Sequence, residues 1–338
     1  MPGRKSGPPF VVPGNPLLDA DAVPGVTSPL LSRPGAVAAD GPDAGVAAHY
    51  GDPYREQRSL AGGLATVDLS HRPVLRIAGP DRLDWLHNLT TQHLTALAPG
   101  AWTQALILSP HGHVEHHLQL VDDGEAVWAH VEPGTLPSLL DYLQRMKFMT
   151  RVEVDDVSGD WAVLHDGADR LVPRAELAAV EGELAGVWAY EALRVADRRP
   201  RLGVDTDHRT IPNEVGWLVR AVHLDKGCYR GQETGARVYN LGRPPRRLAL
   251  LHLDGSDSEL PATGDAVTLD GRDVGRVGTA VRHYELGPLA LALVKRQVPD
   301  DASLLAGTTA ARLDPAPDDE PVSPARSAVA RNLLPRRR

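Results

Sequence analysis

The stretch Asp225-Lys226-Gly227-Cys228-Tyr229-Arg230-Gly231-Gln232-Glu233 holds the only cysteine of the chain, between two glycines and two cations. Lys226 and Arg230 favour the thiolate over the thiol, and the thiolate is the form that attacks electrophiles or ligates metals. Gly227 and Gly231 lack a Cβ, so a ligand or a second backbone can come close. Cys228 is therefore the first candidate for chemistry, with Lys226 as its partner. The alternative is a small buried hydrophobe, which suits a cysteine among apolar neighbours better than one flanked by polar residues.

A second cluster is His111-Gly112-His113-Val114-Glu115-His116-His117. On a strand, His113, Glu115 and His117 share one face and His116 turns to the other. Successive residues of one face stand about 6.6 Å apart, too far for three of them to hold one ion unaided. The expected reading is a polar sheet face or a ligand-facing wall, and no metal site is expected.

These residues need a scaffold, and composition supplies the material for one. The 338 residues are 42% hydrophobic and 24% charged, as in ordinary globular chains, and the formal net charge of −8 argues against general nucleic-acid binding. One cysteine excludes an intrachain disulfide and a thiolate-rich zinc or iron–sulfur site, which suits a reducing, cytoplasmic setting. No apolar run reaches the length of a membrane span, and no charged-then-apolar leader opens the sequence.

The first 44 residues contain nine Pro and six Gly without apolar periodicity, so residues 1–45 are expected to stay disordered, and deletion of residues 1–44 to leave the fold intact. Residues 301–338, Pro-rich and closing on Arg336, Arg337 and Arg338, are expected to be a disordered charged tail. Between these lie a domain over 46–245 and a small antiparallel barrel over 246–300. The pattern predicts a strand over 73–77 and a helix opened by Gly79-Pro80-Asp81 with Leu83, Leu86 and Leu89 on one face. A meander over 102–131 follows, then a helix capped by Thr135 with Leu136, Leu139, Leu140, Leu143 and Met146 facing the core, a strand over 151–157 and a helix over 187–196. Short strands over 247–253, 266–269, 274–281 and 289–294 make the barrel, with Asp270-Gly271 as a type I′ hairpin turn.

The cysteine segment resembles the KGC-Y-x-GQE motif of the YgfZ family, folate-binding relatives of the glycine-cleavage aminomethyltransferase that support iron–sulfur proteins. Residues 77–86, Ala192-Leu193-Arg194-Val195 with Pro200-Arg201-Leu202-Gly203, Pro212-Asn213-Glu214, residues 274–278 and residues 287–292 resemble further family segments in register. The resemblance implies an α+β folate-binding domain with a C-terminal barrel and tetrahydrofolate, or a derivative, as cofactor. It places Tyr190 against the pterin and Arg194 at the glutamate tail, with Gln232 and Glu233 also facing the cofactor. Folate and iron–sulfur assembly factors or client enzymes are the implied partners of a monomer.

Two departures concern catalysis. Acidic positions of the transferase are matched by His93 in Thr91-Gln92-His93 and by His116 beside His117, and the region between Trp161 and Glu191 is shortened. An aminomethyl transfer that needs a placed carboxylate is thereby disfavoured. The expected role is a tetrahydrofolate-binding accessory protein acting through the Cys228 loop. A one-carbon transferase and a folate-dependent tRNA-modification factor remain as alternatives. Arg243, Arg246 and Arg247 form a local basic patch that a polyglutamate or macromolecular partner could use.

Overall fold

The computed structural model describes residues 27–227, 229–232, 244–256 and 259–315. Two short strands, β1 (Val37–Ala38) and β2 (Ala47–His49), precede helix α1 (Pro53–Ala61) and β3 (Ala65–Asp68). Next come β4 (Val74–Ala78), α2 (Arg82–Leu89), β5 (Trp102–Leu108), β6 (Val114–Asp122), β7 (Ala126–His130), α3 (Leu136–Met146) and β8 (Glu153–Asp156). Strands β9 (Trp161–His165), β10 (Asp169–Pro173) and β11 (Glu183–Ala185) lead to α4 (Val187–Ala196) and the single turn α5 (Trp217–Arg220). Six strands follow: β12 (Arg246–Leu253), β13 (Ala266–Leu269), β14 (Arg272–His283), β15 (Gly287–Lys295), β16 (Ser303–Ala306) and β17 (Thr309–Leu313).

The first sheet runs β5-β6-β7-β4-β8, antiparallel throughout. Its period-two alternation sends Leu75, Ile77, Leu118, Leu120, Val127 and Ala129 to one face, where α2 and α3 cover them with Trp85, Leu86, Leu139 and Leu143. On α3, Tyr142 is buried instead of Met146, which is 43% exposed at the C-terminal end. Thr135 occupies the N-cap position without capping; its hydroxyl donates back to the Glu132 carbonyl at 2.7 Å. The second sheet, β10-β9-β3-β11, is antiparallel except for the parallel β11–β3 pair, and α4 packs on it through Val187 and Tyr190. The hairpin β9–β10 was not foreseen in the shortened middle region.

The last six strands close into a barrel in the order β12-β15-β14-β13-β16-β17. Asp270 (φ 50°) and Gly271 (φ 72°) form the expected turn. The barrel does not end at residue 300. Leu304, Ala306, Ala311 and Leu313 alternate into its core, and β17 pairs with β12 to remove two open edges. Strands of four and five residues, rich in Ala, carry too weak a pattern to be read against a charged tail.

The expectation of disorder through residue 45 is also overturned for residues 27–45. Leu30 is fully buried, the Ser28 amide donates to the Gly45 carbonyl at 2.8 Å, and Asp43 is paired inside the molecule with His71 and Arg201. A Pro- and Gly-rich segment lacks the apolar period of a helix, yet a buried leucine and one desolvated ion pair suffice to dock it. Deleting residues 1–44 is therefore expected to lower the thermal midpoint by more than about 5 °C, since a few kcal/mol are lost and each shifts the midpoint by about 2–4 °C in a chain of this size. A scan of the truncated protein with an unchanged midpoint would contradict the docking. Among the described residues no helix is long and apolar enough to cross a membrane.

Candidate functional site

A cavity of about 230 Å³ lies where the two sheets meet α5. Strands β5 and β6 present Trp102, Gln104, His117 and Gln119; the β9–β10 hairpin presents His165 and Asp169; α4 presents Tyr190. Arg199 and Arg201 follow α4, Trp217 and Arg220 come from α5, and Arg72 from the β3–β4 connection. Because side chains alternate on β6, His117 faces this cavity while His116 turns to the opposite side, its ring 6.3 Å from that of Tyr142. The two adjacent histidines thus serve different environments.

Aromatic rings and guanidiniums dominate the walls. The Tyr190 ring meets His165 edge-on at 5.0 Å, and the Arg72 and Arg199 guanidiniums lie 5.4 and 5.8 Å from its centroid. His117 stands 4.6 Å from Trp217, shares a hydrogen bond with the Gln104 side-chain oxygen at 3.1 Å, and is pushed down to about 4 by burial. Arg72 is buried, and its Nε has no hydrogen-bond partner among the described residues.

Behind this wall runs a buried ion network. Arg201 donates through Nε to Glu132 at 2.8 Å and through Nη1 to Asp43 at 3.0 Å, and its Nη1 lies 3.3 Å from Glu191. Burial would raise the Glu132 carboxyl, but the Arg201 and Arg72 guanidiniums override it and hold the group at about 2. For Asp169 burial is likewise overridden, by hydrogen bonds from His130 at 2.9 Å and His165 at 2.7 Å, which keep it well below the usual carboxylate range. The cavity does contain carboxylates, therefore, but these two are locked as ions in pairs and cannot serve as proton donors near neutrality.

Of the residues singled out in the sequence, Tyr190 lines the cavity. Arg194 also borders it, but all five of its N–H groups are engaged, by Glu191 (two bonds), Asp205, Thr279 and the Arg199 carbonyl. With these contacts Arg194 holds α4 to the barrel and has no N–H left over for a folate carboxylate in this arrangement. Lys226 reaches back to α2. Its ammonium is tied to the carbonyls of His87, Thr90 and Gln92 at the end of α2, and burial lowers it to about 8. Gln232 donates to the Lys226 carbonyl at 3.3 Å, an interaction within the loop. Gly231, at φ 79°, sits so close to the Ser109–Gly112 turn that a Cβ would come within 2.5 Å of the Ser109 carbonyl, which explains a glycine there. Cys228, Glu233 and Arg243 lie outside the described residues.

His93 is exposed beside His87 and His223 and takes no part in the cavity. Glu115 pairs with Arg230 at 3.2 Å instead of joining His113 and His117, and among the described residues no group of three or more His, Cys, Asp or Glu is arranged for a metal. Of the basic patch, Arg246 bridges Asp207 and Glu214, and Arg247 pairs with Asp300. Sequence reasoning missed His165, Asp169 and His130. The first two are cross-strand partners in a hairpin whose Asp166-Gly167 turn signal is legible in the sequence.

The two-sheet body with an appended closed barrel is the fold of an aminomethyltransferase. A crystal structure of the glycine cleavage system aminomethyltransferase T from Bartonella henselae matches with a TM-score of 0.70 over 85% of this chain and 95% of that one, at 15% identity. The CAF17 C-terminal β-barrel domain matches residues 246–325. A chloroplastic protein of Arabidopsis thaliana named as a transferase is 24% identical over 269 residues, covering 64% of this chain and 61% of its own. The mitochondrial iron–sulfur cluster assembly factor IBA57 homolog of Mycosarcoma maydis is 26% identical (54% of this chain, 55% of its own), and the tRNA-modifying protein YgfZ of Photobacterium profundum is 29% identical (38% and 39%). The chain is thus similar to YgfZ and IBA57 proteins and shares its fold with the aminomethyltransferase. It spans less than two thirds of the length of these three curated relatives.

Proposed function

We propose that the chain binds a reduced folate, tetrahydrofolate or a derivative, in the cavity at Tyr190 and supports the assembly or repair of iron–sulfur proteins. The observation that carries the reading is the lining itself, within an aminomethyltransferase fold. Tyr190, Trp102 and Trp217 offer rings to a flat heterocycle, and Arg72, Arg199 and Arg220 offer positive charge to a carboxylate-bearing tail. The unpartnered Arg72 Nε is a buried donor that a ligand would satisfy. A cavity of about 230 Å³ has room for a bicyclic ring. Locked carboxylates at Glu132 and Asp169 favour binding over aminomethyl transfer. The iron–sulfur part draws on the assembly factor among the relatives.

Calorimetric titration of the purified chain with tetrahydrofolate tests the first half. Saturable binding is expected, weakened by about 1 kcal/mol, or roughly fivefold, in Tyr190→Leu, which keeps an apolar side chain in the core. Absence of binding at millimolar ligand would refute it, and turnover of a methylene-carrier substrate would move the reading to a transferase. For the second half, Cys228→Ala is expected to retain tetrahydrofolate affinity within about tenfold, roughly 1.4 kcal/mol. In a strain lacking the gene, the same variant should fail to restore iron–sulfur enzyme activity under oxidative stress. Full complementation would remove Cys228 from the function.

A further inference from the structure

The hairpin β9–β10 sets His165 and Asp169 directly across from each other, and their side chains meet at 2.7 Å through His165 Nδ1. The other oxygen of the same carboxylate meets Nε2 of His130, on β7 of the first sheet, at 2.9 Å. His165 and Asp169 both line the cavity, whereas His130 is fully buried behind them. An ionised carboxylate can only accept hydrogen bonds, so both ring nitrogens facing Asp169 must carry their protons. In the neutral imidazole of His165 the bare lone pair then falls on Nε2, which makes no hydrogen bond among the described residues.

We propose that His165, oriented by Asp169 and His130, is the acceptor in the cavity that reads a ring N–H or exocyclic amino group of the bound heterocycle. The inference rests on the cavity being the ligand site and adds its specificity: heterocycles presenting an N–H donor are selected over those presenting only acceptors. His165 touches the ligand, and Asp169 and His130 are positioning residues. The charged and titratable groups around the ring are Asp169 and His130 across the sheets, the Tyr190 phenol on α4, and the Arg72 and Arg199 guanidiniums flanking that phenol. His117, on the facing wall, is held at about 4 and stays neutral above pH 5.

Two measurements on the full chain test this. Long-range proton–nitrogen correlation spectra, with the His165 signals identified by their loss in His165→Gln, should show the Nδ1–H tautomer at neutral pH, and Asp169→Asn should erode that preference. An Nε2–H tautomer in the unmodified chain overturns the proposal. Titration with tetrahydrofolate at pH 7.5 should give an affinity three- to tenfold weaker in His165→Leu, which removes the acceptor. An unchanged affinity in that variant also overturns it. If tetrahydrofolate fails to bind at all, the functional reading falls, while the tautomer spectrum still decides this inference.

Discussion

Replacing Arg201 by Leu is expected to cost about 3–5 kcal/mol of folding stability, the usual penalty for removing one partner of a buried ion pair. Arg201 is 4% exposed and meets Asp43 from the N-terminal segment, Glu132 from the β7–α3 connection and Glu191 from α4. Without the guanidinium these carboxylates stay in low dielectric with too little positive charge, and Arg72 alone remains near Glu132 at 3.6 Å. Against a total of about 5–15 kcal/mol, such a loss leaves a marginal protein. Urea unfolding at pH 7.5 measures it. The deficit should shrink as the pH is lowered towards 5, because carboxylates freed of Arg201 regain protons at higher pH and cease to be buried charges. Arg201→Lys should recover only part of the loss, since an ammonium cannot span Asp43 and Glu132 as the fork does. A deficit below about 1 kcal/mol would show that the network contributes little.

Stability should also fall steeply between pH 6.5 and 4, before the carboxylates titrate. Burial holds His117 at about 4, and burial with the nearby Arg230 holds His116 at about 4, against an ordinary value of 6.5. The unfolded chain therefore binds protons first on acidification, so the stability contributed by the neutral rings is complete above about pH 6.5 and is lost towards pH 4. From pH 7 to 5 the loss is roughly 2 kcal/mol for each ring, from the 1.36 kcal/mol per tenfold change in proton affinity. Glu132, held at about 2 against an ordinary 4.5, contributes stability that is full above about pH 4.5 and disappears only below it, so the two windows separate. Unfolding midpoints at pH 7.5, 6 and 5 test the order. His117→Gln, which keeps a polar contact to Gln104, should flatten the upper window by about half. An unchanged slope in that variant would show that His117 does not carry the effect.

What the sequence determined by itself is local. The 3.6-residue spacing over 187–196 is the α4 that forms, the Gly79-Pro80-Asp81 start of α2 is where it was read, and Asp270-Gly271 turns the hairpin it specifies. Each follows from propensity and period within a few residues, so neighbours far along the chain are not needed. The family resemblance and the fold class were legible for the same reason, because their motifs are contiguous. Tertiary structure decided the rest. That His117 enters the cavity while His116 leaves it depends on which face of β6 the helices cover. That Arg194 is consumed depends on Asp205 and Thr279, and that Lys226 caps α2 depends on a chain segment more than 130 residues away. The docking of residues 27–45, the closure of the barrel by β17 and the His130–Asp169–His165 array all join residues from separate elements. Desolvation and charge pairing act through space, and a string of residue types does not record which groups will be buried together.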